Sequence, residues 1–107
     1  MVSPEIDAIL KQCKQVLQEL YGDRFAGLVL YGSMARGDYH DESDIDLLVL
    51  LNGDVNVYRE VGPIGEALFP IQLQSSRYIS AQAMSLEDYH HCRWPFYLSV
   101  RREGVAL

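Results

Sequence analysis

Residues 30–50, LYGSMARGDYHDESDIDLLVL, decide how this chain is read. Gly32-Ser33 closes one apolar run, and Asp44 and Asp46 lead into another, Ile45–Leu51 (IDLLVLL). In an extended strand alternate residues share a face, so Asp44 and Asp46 point one way while Ile45 points into the core. Two like charges at the mouth of a buried strand are costly, because burial and mutual repulsion both oppose ionisation. A divalent cation between them removes that cost. Two carboxylates, with the remaining positions left to water and phosphate oxygens, describe Mg²⁺ or Mn²⁺ bound together with a nucleoside triphosphate. Gly32 lets the backbone approach a ligand closely, and Ser33 offers a hydroxyl and an amide at a possible helix start. Either feature alone reads as a polar strand flank or an ordinary turn; the ligand site is carried by their combination on consecutive strand ends.

Outward from this stretch, the chain alternates helix and strand. Ile6, Ile9, Leu10, Cys13, Val16, Leu17, Leu20 and Tyr21 follow helical spacing, with Ser3 as N-cap, Pro4 at the first helical position and Gly22 as the stop. Phe25–Tyr31 is short and apolar, which predicts a buried strand feeding the Gly-Ser turn, and Met34–Arg36 can form one helical turn after it. Ile45–Leu51, bounded by Asn52-Gly53, predicts a second buried strand. A helix is expected from Val55 to about Gln74, bent or interrupted at Gly62-Pro63 and Phe69-Pro70. Arg77–Met84 alternates as a third strand, Ser85 can cap a turn over Leu86–His91, and Pro95 can start a last helix before Gly104. The expected fold class is α/β (α+β): a small mixed β-sheet with helices packed on it, and motif residues at strand ends.

Composition narrows the function. With 107 residues, 49% of them hydrophobic, there is material for one core, and residues 1–107 are expected to form a single domain. Nine Lys+Arg against fifteen Asp+Glu give a net charge of −6, which weighs against a surface that follows nucleic acid by charge. Cys13 and Cys92 lack the spacing of a zinc site or a disulfide framework and read as free thiols of a reducing cytoplasm. No stretch approaches the roughly 20 apolar residues of a membrane span, and the N-terminus has no secretory pattern, so a soluble, cytoplasmic protein is expected. Consecutive helical residues diverge, so His90-His91-Cys92 makes a poor chelate. Trp94, Phe96 and Tyr97 either pack the last helix or form a contact surface.

Gly32-Ser33, ten intervening residues, then Asp44-x-Asp46 resembles the signature of the nucleotidyltransferase superfamily that includes DNA polymerase beta. The fuller string GSMARG…SDIDLLV is similar to its small bacterial and archaeal branch, the minimal nucleotidyltransferases, and the similarity continues through SLEDY (85–89) to VRREGV (100–105). The resemblance implies the polymerase beta-like fold, with Gly32 and Ser33 on nucleotide phosphates and Asp44 and Asp46 on Mg²⁺. Arg36 would either neutralise phosphate charge or pair with a nearby acid. It implies transfer of AMP from ATP to a hydroxyl. Members of this branch are often encoded beside a HEPN-domain protein, so the implied acceptor is a tyrosine of such a partner, the implied role that of an antitoxin, and the implied assembly a homo- or hetero-oligomer. Active relatives carry a third carboxylate on the next strand, and an alignment on Ser85-Leu86-Glu87 puts Gln82 there. Gln82 is neutral, so the alternative is a degenerate binding module that neutralises its partner by complex formation. Glu87 or Asp88 could stand in, or serve as first-turn acids favourable at a helix N-terminus; Asp38, Asp41 and Glu42 read as a solvated loop.

Overall fold

The computed structural model describes residues 3–107. Helix α1 (Pro4–Tyr21) leads through a 3₁₀ turn, Gly22–Arg24, to β1 (Phe25–Tyr31). There follow α2 (Ser33–Arg36), β2 (Ile45–Leu51), α3 (Val57–Gln74), β3 (Ile79–Ser85), α4 (Leu86–His91), α5 (Pro95–Glu103) and β4 (Val105–Ala106). The four strands form one mixed sheet in the order β3-β2-β1-β4. β1 is antiparallel to both β2 and β4, and β2 runs parallel to β3.

β2 is central and covered on both faces, which is why its sequence is a nearly continuous apolar run rather than an alternating one. One face, Ile45, Leu47, Val49 and Leu51, packs with Ile6, Leu10, Cys13 and Leu17 of α1 and Ile64, Leu68 and Ile71 of α3. The other, Leu48 and Leu50, joins Val29, Val100 of α5 and the half-buried Met84, Leu86 and Tyr89. Asp46 belongs to this second face by parity. The aspartate pair therefore stands at the end of the face that α4 and α5 cover.

Local chemistry sets the element ends. Ser3 Oγ accepts from the Ile6 amide at 3.3 Å, and Asn56 Oδ1 accepts from the Tyr58 and Arg59 amides at 3.1 and 3.2 Å. Ser85 caps α4 through the Asp88 amide at 3.0 Å, as its sequence position predicts.

Two expectations are corrected, and two short elements are added. α3 runs unbroken through Pro63 and Pro70. Both prolines lie on its exposed side, where the carbonyls deprived of a partner can turn to water, while buried Ile64, Leu68 and Ile71 hold the other side on the sheet. The third strand begins at Ile79 rather than Arg77, because the Arg77 backbone is engaged by side chains: its amide donates to Ser75 Oγ at 3.1 Å and its carbonyl accepts from Ser75 Oγ at 2.8 Å and Gln72 Nε2 at 3.0 Å. β4, two residues long, had no readable pattern, and neither did the 3₁₀ turn.

Candidate functional site

The Gly32 turn and the start of β2 meet because β1 and β2 are antiparallel neighbours, with Tyr31 opposite Asp46. The end of one strand thereby lies beside the beginning of the other. Gly32 has φ +76° and ψ −156°, a region essentially confined to glycine. A Cβ placed on it would lie 2.5 Å from Asp46 Oδ2. Asp46 thus rests against bare backbone, and this close approach is what the Gly32 position provides.

After Gly32 the chain makes one helical turn. The Ala35 and Arg36 amides each bond the Gly32 carbonyl at 3.1 Å, and the Gly37 amide bonds the Ser33 carbonyl at 2.9 Å. The Ser33 and Met34 amides open the turn and have no carbonyl within it to bond. Met34 is 2% exposed and anchors the turn in the core.

Asp46 is half-buried and Asp44 exposed. Burial, and after it the Asp44 carboxylate, push the Asp46 carboxyl above the usual carboxylate range; the Arg36 guanidinium pulls it back. A bound cation would relieve both upward pressures. The donor set is two carboxylates, Asp44 just before β2 and Asp46 within it, oxygen only, with Oδ2 of Asp46 packed where a side chain on residue 32 would lie. That chemistry fits Mg²⁺ or Mn²⁺ with water or phosphate completing the shell. Among the described residues no group of three or more His, Cys, Asp or Glu side chains is placed to hold a metal, so neither Glu87, Asp88 nor the His90-His91-Cys92 run forms a ligand cluster with the pair.

Gly32, Arg36 and Asp46 line one cavity of about 280 Å³ together with Tyr31, Phe96 and Glu103. Ser33 and Asp44 stand outside this lining. Arg36 faces the cavity and is also paired, Nε to Asp38 Oδ2 at 3.3 Å and a terminal nitrogen to Glu103 Oε2 at 3.7 Å. These contacts are partly exposed and weak enough to be exchanged for an anionic ligand.

Gln82 lies elsewhere. The parallel register puts Ser80 beside Asp46 and Gln82 beside Leu48. Gln82 shares the face of the aspartates but stands two residues further along, in the lining of a second, larger cavity that also includes Asp88.

Arg77 had no signal in the sequence. Its guanidinium donates to the His40 carbonyl at 2.6 Å and the Ser43 carbonyl at 2.9 Å, and lies 5.5 Å from the Tyr39 ring centroid. Ser43 Oγ accepts from the His40 amide at 2.9 Å. Together they fold the acid-rich loop 38–44 and fix the approach to Asp44. The places of Tyr31, Glu103 and Phe96 beside Asp46 emerge only in three dimensions; the Phe96 ring meets Tyr31 edge-on at 5.6 Å.

The chain is similar to known proteins in sequence and in fold. The sequence model of a family described as "Nucleotidyltransferase domain" matches residues 10–87. A Methanocaldococcus jannaschii protein named "Putative protein adenylyltransferase MJ0604" is 29% identical over 98 residues, covering 92% of this chain and 93% of that protein. A second from the same organism, "Putative protein adenylyltransferase MJ0141", is 43% identical over 47 residues, 44% of this chain and 48% of its own length. The chain thus spans about half of the latter and nearly all of the former. A crystal structure titled as that of a putative nucleotidyltransferase from Sulfolobus solfataricus superposes with a TM-score of 0.60 at 18% identity, over 99% of this chain and 87% of the other, which shows a shared fold.

Proposed function

The chain belongs to the nucleotidyltransferase domain family, and from that premise we propose that it is a Mg²⁺-dependent protein adenylyltransferase, moving AMP from ATP to a hydroxyl of another protein as the α–β phosphoanhydride breaks, with release of pyrophosphate and the hydroxyl proton. The observation that carries this reading is the packing of Asp46 against Gly32, with the Asp44 carboxylate near enough to raise the Asp46 carboxyl and Arg36 in the same cavity. Asp44 and Asp46 would hold the metal, which when bound supplies charge neutralisation and polarisation at the reacting phosphate. Gly32 and Ser33 would receive the terminal phosphates on backbone amides and the Ser33 hydroxyl. Arg36 would release Asp38 and Glu103 to meet the same charge.

A protein acceptor is favoured by the net charge of −6, which repels polynucleotides, and by the names given to the relatives. The acceptor we propose is a tyrosine of a HEPN-domain partner, the modification silencing that partner as an antitoxin would. Labelled ATP, Mg²⁺ and the purified partner provide the test. Label should reach the partner with the native chain, and Asp44→Asn with Asp46→Asn should reduce it at least 100-fold. Unlabelled partner, or labelling indifferent to both changes, would exclude catalysis at this site.

A second reading, neutralisation by complex formation alone, is favoured by one observation: no third carboxylate joins the pair among the described residues. It predicts that the Asp44→Asn, Asp46→Asn protein still inhibits its partner fully.

A further inference from the structure

The larger cavity has no part in the phosphate and metal chemistry. It measures about 520 Å³ and lies where β3 meets the loop into α5, lined by Gln82, Met84, Val57, Asp88, Trp94 and Tyr97 among others. Its size and mostly apolar walls with a few polar groups are those of a small-molecule site rather than a flat contact surface.

Three features relate it to Asp46. Gln82 and Asp46 point from the same sheet face, on adjacent parallel strands and offset by two residues. Their Cα atoms are therefore on the order of 8 Å apart, from about 4.8 Å across and 6.6 Å along the strands. The intervening wall is a run of aromatic rings: Tyr31 meets Phe96 at 5.6 Å, Phe96 meets Tyr97 at 5.0 Å, and Tyr97 meets Trp94 at 6.4 Å. Tyr97 lines the larger cavity, while Tyr31 and Phe96 line the smaller one with Asp46, so the two cavities adjoin across this run.

The polar equipment of the larger cavity is selective. Trp94 is 71% exposed, and its ring is tilted only 33° from that of Tyr97, which leaves an open aromatic face suited to stacking a planar ring. Gln82 carries a side-chain amide, one donor and one acceptor side by side. That pair matches the N6 donor and N7 acceptor of adenine, whereas guanine offers two acceptors on the same edge.

We propose that this cavity is the nucleobase subsite, with Trp94 and Tyr97 as the stacking platform and the Gln82 amide as the group that selects adenine. The inference rests on the nucleotide-binding part of the proposed function and assigns Gln82 to base selection instead of a lost metal ligand. The triphosphate lies at Gly32 and Asp46, the ribose crosses beside Tyr97, and the base enters between Gln82 and Trp94.

Trp94 is the chain's only tryptophan, so its fluorescence reports on this cavity directly. Adenosine, which has no phosphate and needs no metal, should quench it saturably in the native chain, and in Asp46→Asn as well. MgATP should bind at least about tenfold more tightly than MgGTP by calorimetry, and Gln82→Leu should bring the two within about twofold while leaving MgGTP affinity unchanged. Gln82→Asn, which keeps the amide on a shorter arm, checks that any loss is not a folding defect and should retain a partial preference. Tight MgATP binding with neither Trp94 quenching nor an effect of Gln82→Leu would overturn this subsite and leave the proposed function standing. Absence of MgATP binding by calorimetry would remove both.

Discussion

Asp46 Oδ2 lies 2.5 Å from the point a Cβ on Gly32 would occupy, so the carboxylate and the turn occupy their places only because residue 32 has no side chain. Gly32→Ala should therefore damage ligand binding more than folding. The φ of +76° costs an alanine about 1–3 kcal/mol, and the methyl displaces Asp46. Thermal denaturation should show a folded but weakened protein, while calorimetry should show MgATP affinity reduced more than tenfold.

Asp46→Asn should stabilise the metal-free protein at neutral pH. Burial and Asp44 raise the Asp46 carboxyl in the folded state, so the native protein binds more protons than the unfolded chain through the carboxylate range. Stability then falls as pH rises from the unfolded carboxyl value through the raised folded one. Asparagine does not titrate and lacks this loss. Because Asp46 is half-exposed, screening limits the gain to at most about 1 kcal/mol. Denaturant unfolding between pH 3 and 8 should show the two stability curves diverging upward in pH. With saturating MgATP the order should reverse, since ligand at 100 times its Kd adds about 2.7 kcal/mol to the native protein alone.

Arg77→Gln should weaken nucleotide binding without touching nucleotide. It removes the bonds to the His40 and Ser43 carbonyls and the contact with Tyr39, so loop 38–44 loses the brace behind Asp44. A stability loss of about 1–3 kcal/mol is expected. Hydrogen exchange should show faster amide opening confined to that loop, and MgATP affinity should drop severalfold.

A control lies at the opposite end of the sheet. Tyr21, at the close of α1, donates to Glu60 Oε1 of α3 at 2.7 Å, and Glu60 is 8% exposed. Burial, then the bond to Glu60, push the Tyr21 phenol upward, so it remains a donor throughout the accessible pH range. Tyr21→Phe leaves a buried carboxylate without its donor and should cost about 1–3 kcal/mol in denaturant unfolding. The proposed AMP transfer, measured below the melting temperature, should be unchanged.

The cysteines should separate cleanly. Cys13 is fully buried in α1 and burial pushes its thiol up to about 11, whereas Cys92 is half-buried at the end of α4. A thiol reagent at pH 8 should modify one sulfur in the native protein, at Cys92, and two after unfolding. Rapid modification of both in native buffer would show that α1 opens readily.

The strands nearest the site were legible because their boundaries are chemical: Gly32-Ser33 ends β1, and Asn52-Gly53 ends β2. That Asp46 belongs to the face opposite Ile45 and Leu47 was legible through strand parity. What escaped was set by neighbours across the sheet. That Ser80, not Gln82, stands beside Asp46 follows from the β2–β3 register, which depends on how α3 returns the chain. The continuity of α3 through two prolines reflects tertiary burial overriding local preference. Arg77 works through backbone carbonyls, whose positions leave no mark in residue types.

Met34 immediately follows Ser33 and is almost wholly enclosed, so the loop that would meet phosphate on one side is hydrophobic core on the other. Drift in the packing of Leu28, Leu30 or Ile45 would travel through that methionine to the turn. Mutational histories of the core and of ligand recognition are therefore tied together, and variants selected purely for heat resistance should carry altered nucleotide affinity as a by-product.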